Sequence, residues 1–186
     1  EKAKIITATA MFYDFNDPNI VTKDIKEILH NDGVCVIQVS YLLDTIKDMN
    51  FYDAMHEHLE YYSLKSINYL MEKNGLTVID ASTNFVNGGS LRILVTHKEN
   101  CKPKSKRYEH LLSEEKKWNL DEPNTYAQFS RNIQDIIEKS RNFILEQNQN
   151  GKKIIGLGAS SKGNVLLQIC GFDKKSIPYI SDRNKD

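Results

Sequence analysis

Cysteine is scarce in this 186-residue sequence and scattered where it occurs, at Cys35, Cys101 and Cys170. An odd number with no CxxC pair excludes a disulfide framework and a cysteine zinc site, and buried free thiols in a reducing cytosol are the plain reading. No metal site is expected within these residues. No run of about 18 apolar residues occurs, so no segment is read as spanning a membrane. Net charge is missing as well, because 25 Lys and Arg balance 25 Asp and Glu. That balance gives no electrostatic case for nucleic acid or an anionic membrane as partner. Glu1-Lys2-Ala3-Lys4 runs straight into an apolar segment and carries no signal-peptide pattern, so a cytoplasmic location is expected. No internal repeat is evident. What remains is 40% apolar and 27% charged residues, a mixture that packs a core and argues against global disorder. The length suits one ordinary domain or two small ones.

The pattern along the chain alternates strand and helix. Ile5-Ile6-Thr7-Ala8-Thr9-Ala10 is a short β-type run, and residues 19–31 place Ile20, Val21, Ile25, Ile28 and Leu29 at helical spacing. Asn31-Asp32-Gly33 is expected to end that helix, with Gly33 left-handed. Val34-Cys35-Val36-Ile37-Gln38-Val39 is nearly continuous apolar sequence, as in a strand covered on both faces. The first forty residues therefore read as a βαβ unit with a right-handed crossover. A second helix is expected from Ser63 as N-cap to Asn74-Gly75. Strands at residues 76–80 and 91–95 follow, joined antiparallel. The polar stretch 98–122, followed by Pro123, suggests a linker or lid, and residues 124–149 a long amphipathic helix with Tyr126, Phe129, Ile133, Ile136, Ile137, Phe143 and Ile144 on one face. A new α/β unit opens at Lys152, with a strand to Gly158, a helix to about Cys170 and a strand at 177–182. The chain stops at Asp186 inside what should be a strand-to-helix connection, and it is expected to be an excerpt. Three regions are expected: 1–97, the linker and long helix 98–150, and the second unit 151–186.

Four groupings carry chemistry. Met55-His56-Glu57-His58-Leu59-Glu60-Tyr61-Tyr62-Ser63 sets two histidines about a glutamate without the HExxH spacing of a helical zinc site. A histidine oriented by a carboxylate or phenol can act as a base near neutral pH; a polar loop whose histidines cap backbone groups is the alternative. Gly156-Leu157-Gly158-Ala159-Ser160-Ser161-Lys162-Gly163-Asn164 takes a strand through a glycine turn into a helix N-terminus. Free N–H groups and the helix dipole there favour phosphate, with Lys162 adding charge and Asn164 a hydrogen bond. An ordinary tight βα turn is the alternative. Gly88-Gly89-Ser90-Leu91-Arg92 permits close backbone approach, and Arg92 suits a phosphate or carboxylate, or else faces solvent. Met11-Phe12-Tyr13-Asp14-Phe15 follows the first strand at the end where open α/β sheets bind ligands, unless Phe12 and Phe15 simply pack the core.

In their order and separation these segments resemble the sugar-nucleotide C-methyltransferases, S-adenosylmethionine-dependent enzymes with a YHEHxxYxS-like segment, a GGSxR segment, a long helix and a GxGAxxKGN turn. Ser181-Asp182-Arg183-Asn184 is similar to a further family segment, and the resemblance covers nearly the whole chain. It implies an α/β fold, the C-terminal part of a Rossmann-like methyltransferase sheet joined by a long helix to the start of a second Rossmann-like, nucleotide-sugar-binding unit. It also implies that the zinc-binding module and most of the S-adenosylmethionine site precede Glu1, so the excerpt alone should be inactive. By resemblance His58 is the base, with Glu57 and His56 beside it; Ala8, Met11 and Phe12 border the cofactor; Tyr41, Tyr62, Arg92, Gly158, Lys162 and Asn164 bind the nucleotide-linked sugar. The family's tyrosine before HEH is Met55 here, and a histidine often found after the first strand is Asp14. Rival readings are a non-catalytic sugar-nucleotide-binding module, an O- or N-methyltransferase, and a nicotinamide-dependent oxidoreductase. The last would need a GxGxxG loop with an acidic residue about 20 positions beyond it, and neither is convincing here.

Overall fold

A computed structural model describes residues 1–100 and 102–183; Cys101 and Asn184, both named above, lie outside the described residues. The chain divides into two compact units, one of Glu1–Asp48 with Glu57–Thr125 and one of Met49–His56 with Tyr126–Asp186.

The first unit is built on a four-stranded sheet. β1 (Ala3–Thr9) pairs parallel with β2 (Leu29–Ser40), and α1 (Pro18–Ile28) connects them. Asp17 starts α1 by accepting the backbone N–H of Asn19 at 2.9 Å, with Pro18 in the first helical position. The expected end of this helix is corrected. α1 stops at Ile28, and Asn31, Asp32 and Gly33 are already strand. Gly33 does not have a positive φ. Its role is close approach, because a Cβ there would stand 2.8 Å from Leu29 Cδ1 and 2.9 Å from the Ala3 carbonyl oxygen. The β1–β2 register slips at this point, with Ala3 opposite Leu29 but Ile5 opposite Val34. The turn-type residues thus serve an irregularity inside a strand.

β2 leads to a short helix α2 (Leu42–Lys47), then to α3 (Leu64–Lys73), β3 (Leu76–Asn84) and β4 (Ser90–His97). α3 begins as expected at Ser63, which exchanges hydrogen bonds with Ser66 in a capping box, and Gly75 follows with φ 79°. The strand order is β1-β2-β4-β3, with β4 antiparallel to both neighbours. Alternate residues Cys35, Ile37 and Val39 of β2 and Leu91, Ile93 and Val95 of β4 are fully buried, as are Leu64, Ile67 and Met71 of α3. Burial pushes the Cys35 thiol up to about 12, so it stays protonated and inert. On the opposite sheet face Thr7, Thr9 and Arg92 are exposed.

At the β3–β4 turn Asn87, Gly88 and Gly89 all have positive φ. A Cβ on Gly89 (φ 122°) would stand 2.6 Å from Asp44 Cβ. Gly89→Ala is therefore expected to cost about 2 kcal/mol of unfolding free energy, measured by urea denaturation, through backbone strain and displacement of α2.

Residues 98–122 are not simply a linker. They form α4 (Lys106–Lys117), which packs on α3 and β3. Ser105 caps it by accepting the Tyr108 N–H at 3.1 Å, and Tyr108 and Glu115 are buried. Polar composition hid this helix because one of its anchors is itself a carboxylate.

α5 (Pro123–Gln149) runs from the end of the first unit into the second. The second unit adds β5 (Ile155–Leu157), α6 (Ser161–Ile169) and β6 (Tyr179–Ser181), with β5 and β6 parallel. Of the apolar face expected on α5, only Ile137 is buried, while Tyr126 and Phe143 are exposed. Two three-residue strands and a nine-residue helix give that face little to pack against. Arg141 of α5 donates from Nε to the Cys170 carbonyl at 2.6 Å and so caps the C-terminal end of α6. Among the described residues no helix is long and apolar enough to cross a membrane.

Candidate active site

The parallel pairing of β1 and β2 sets their carboxyl ends at one edge of the sheet, and the segment from Glu57 to Ser63 is tied to that edge. Leu59 N–H donates to the Tyr13 carbonyl at 2.9 Å, just beyond β1, and Glu60 N–H to the same oxygen at 3.3 Å. Leu42 N–H donates to the Tyr62 carbonyl at 3.0 Å, just beyond β2, where Tyr41 and Tyr62 form a parallel bridge. The segment thus lies over the two strand ends, the position at which open α/β sheets meet ligands.

His58 is half-buried there. Its ring packs on Tyr13, with centroids 4.2 Å apart, and stands 6.4 Å from the Tyr61 ring. Glu57 and His56 are exposed; Glu57 belongs to the first unit with His58, and His56 to the second. Tyr62 is buried beside Phe12, ring centroids 5.9 Å apart. Burial, with the charge of Glu60, raises its phenol above the ordinary range. Burial also raises the Glu60 carboxyl, helped by the charges of Asp14 and Asp17.

Other expected site residues are placed differently. Phe12 is fully buried against Phe15 and Tyr62, so its side chain packs protein rather than bordering a ligand. Ala8 is buried in β1, and Met11 is exposed beyond the strand end, after Ala10 turns the chain with φ 54°. Tyr41 is not open to a substrate. It is buried, and its hydroxyl donates to Glu115 Oε1 at 2.9 Å. Arg92 is exposed on the sheet face, where its Nε donates to Gln38 Oε1 at 3.0 Å.

In the second unit the glycine turn is already engaged. Ala159 N–H donates to the Asp182 carboxylate at 2.5 Å, Gly158 N–H to the Ser181 carbonyl at 2.7 Å, and Gly163 N–H to Ser160 Oγ at 3.1 Å. Lys162 forms an ion pair with Asp53, whose side chain is only 3% exposed, and its ammonium stands 6.0 Å from the Tyr52 ring centroid. The lysine expected to meet a phosphate therefore fastens α6 to the segment Met49–His56. Gly158 and Asn164 are exposed. Among the described residues no group of three His, Cys, Asp or Glu is placed to hold a metal ion.

Residues 85–186 match the family described as C-methyltransferase C-terminal domain, and residues 1–81 match a methyltransferase domain family. The chain belongs to the C-methyltransferase family. C-methyltransferase NovU of Streptomyces niveus is 29% identical over 180 residues, 97% of this chain, and the chain spans 43% of that relative's length. Among solved structures, LepI in complex with SAM aligns over 52% of this chain and 27% of its own, with 12% identity and a TM-score of 0.44. The O-methyltransferase NcsB1 from neocarzinostatin biosynthesis aligns over 51% of this chain and 29% of its own, with 17% identity and a TM-score of 0.39. Within this C-methyltransferase chain, reading the sequence passed over Tyr13, Asp53, Glu60 and Asp182 as site neighbours. Of these only Asp53 lies outside every segment singled out above, and nothing local marks Tyr13 or Asp53 as partners of His58 and Lys162.

Proposed function

We propose that this C-methyltransferase family member acts on a nucleotide-linked keto-deoxy sugar, with His58 as the base that starts methyl transfer to carbon. The observation that carries the reading is the half-buried imidazole of His58, fixed over the carboxyl ends of β1 and β2 by its stacking on Tyr13 and by the bonds of Leu59 and Glu60 to the Tyr13 carbonyl. A carbon acid beside a keto group needs a base held in place, because deprotonation and attack must share one geometry. His58 takes the proton, and the electrons of the C–H bond pass into the enolate. When bound, S-adenosylmethionine supplies an electrophilic methyl group that the enolate carbon takes in line, the C–S electrons leaving with sulfur. Of this chain's residues, Ala10 and Met11, which turn outward at the end of β1, suit one wall of that cofactor's site. The strand, glycine turn and helix at Gly158 to Asn164 support a nucleotide-linked acceptor, with Asn164 exposed in the first turn of α6.

The test uses the intact enzyme with methyl-labelled S-adenosylmethionine and a nucleoside-diphosphate keto-deoxy hexose. A product whose labelled methyl is bonded to ring carbon by NMR is expected. An O-methyl or N-methyl product, or label transferred only to acceptors without a keto group, would sink the reading.

A further inference from the structure

Three alternate residues of the segment over the strand ends share one feature. His58 Nδ1, Glu60 Oε2 and the Tyr62 hydroxyl are each shielded from solvent, and none has a hydrogen-bond partner among the described residues. Folded chains seldom leave such groups unmatched, because each costs free energy with nothing gained in return. Here they fall at every second position of one short, non-helical stretch, with the consecutive rings of Tyr13 and Phe12 against its two ends. His58 and Glu60 are only partly covered and Tyr62 closes the row from below, so a ligand seated over the strand ends is placed to meet these groups.

The chemistry of the row narrows that ligand. The charges acting on Glu60 are those of Asp14 and Asp17, all acidic. Such surroundings repel a diphosphate and suit a neutral group with several hydroxyls. A carboxylate accepts from two hydroxyls, a phenol donates or accepts, and an imidazole does either through its two nitrogens. We propose that His58, Glu60 and Tyr62 form a hydroxyl-recognition row for the sugar ring of the acceptor, with Glu60 setting which ring is taken. The proposal rests on the methyl-transfer reading for the identity of the sugar, but the row is testable without turnover. Discrimination follows because a ring lacking the matching hydroxyl would leave Glu60 unsatisfied in the complex.

The experiment is calorimetric titration of the intact enzyme with a nucleoside-diphosphate hexose and, separately, with the nucleoside diphosphate alone, joined to thermal melting of each variant. Glu60→Gln and Tyr62→Phe are each expected to weaken the hexose conjugate about tenfold. Affinity for the nucleoside diphosphate alone should change less than twofold. Tyr62→Phe should melt at the wild-type temperature or above it, since the hydroxyl it removes bonds to nothing in the free protein. Equal weakening of both ligands, unchanged affinity for both, or a lower melting temperature for Tyr62→Phe would overturn the row. If the wild-type enzyme methylates no keto sugar yet the two ligands still separate in this way, the function fails and the row stands.

Discussion

His58→Asn is expected to lower methyl transfer by about 10^3-fold while affinity for the nucleotide-linked sugar stays within a few-fold of wild type. Asparagine keeps a polar, planar side chain at the strand ends but cannot accept a proton near neutral pH. Positioned base catalysis is worth roughly 10^2 to 10^4 in rate, so losing it should appear in kcat rather than KM. Steady-state kinetics and equilibrium titration on the same preparation separate the two quantities. A second readout removes the cofactor from the question: exchange of the proton beside the keto group with D2O, followed by NMR, should also be lost. A variant that methylates at the wild-type rate would place the base elsewhere and leave His58 as a packing partner of Tyr13.

That geometry was only partly legible in the sequence. The strand pair and helix α3 could be read because their signals are local: alternation, a Ser63 cap and the Asn74-Gly75 stop. Gly33 misled because the same turn-type residues serve helix ends and strand irregularities, and what decides between them is the approach of Ala3 and Leu29, which no window of sequence contains. His58 is singled out by its motif. Tyr13, which packs on its ring, and Asp14, whose charge acts on Glu60, are more than forty positions away, so the setting of the imidazole and of Glu60 is visible only once the two strand ends lie at one edge. Lys162 shows the converse: its motif does form a strand, a glycine turn and a helix, but Asp53, distant in sequence and buried, already pairs with its charge. A ligand contact is expected of Phe12 from its place after a strand end and of Tyr41 from the family resemblance, and both side chains are buried.

Glu115→Ala should destabilise the first unit by about 3 kcal/mol. Glu115 is 3% exposed, and its carboxylate accepts from Tyr41 Oη, Leu64 N–H and Lys65 N–H. It thereby satisfies the first turn of α3, a site that favours a negative charge, and ties α4 to it. Truncation to alanine removes three charge-assisted bonds and strands a buried phenol and buried N–H groups, each worth roughly 1–3 kcal/mol, against some relief from no longer burying a charge. Glu115→Gln keeps one acceptor oxygen and should cost less than half as much. Urea denaturation of all three proteins makes the comparison. The pH dependence has a definite sign. Burial raises the Glu115 carboxyl above its ordinary value, and the N–H groups of Leu64 and Lys65 and the Tyr41 hydroxyl only partly oppose this. Between the unfolded and the raised folded pKa the native state binds more protons than the unfolded chain, so this group's contribution falls as pH rises through that window. Glutamine does not titrate, so the wild-type advantage over Glu115→Gln should narrow with rising pH above the ordinary glutamate range. A gap that widens instead would mean that the hydrogen bonds outweigh burial and that the carboxylate, once charged, is the better cap.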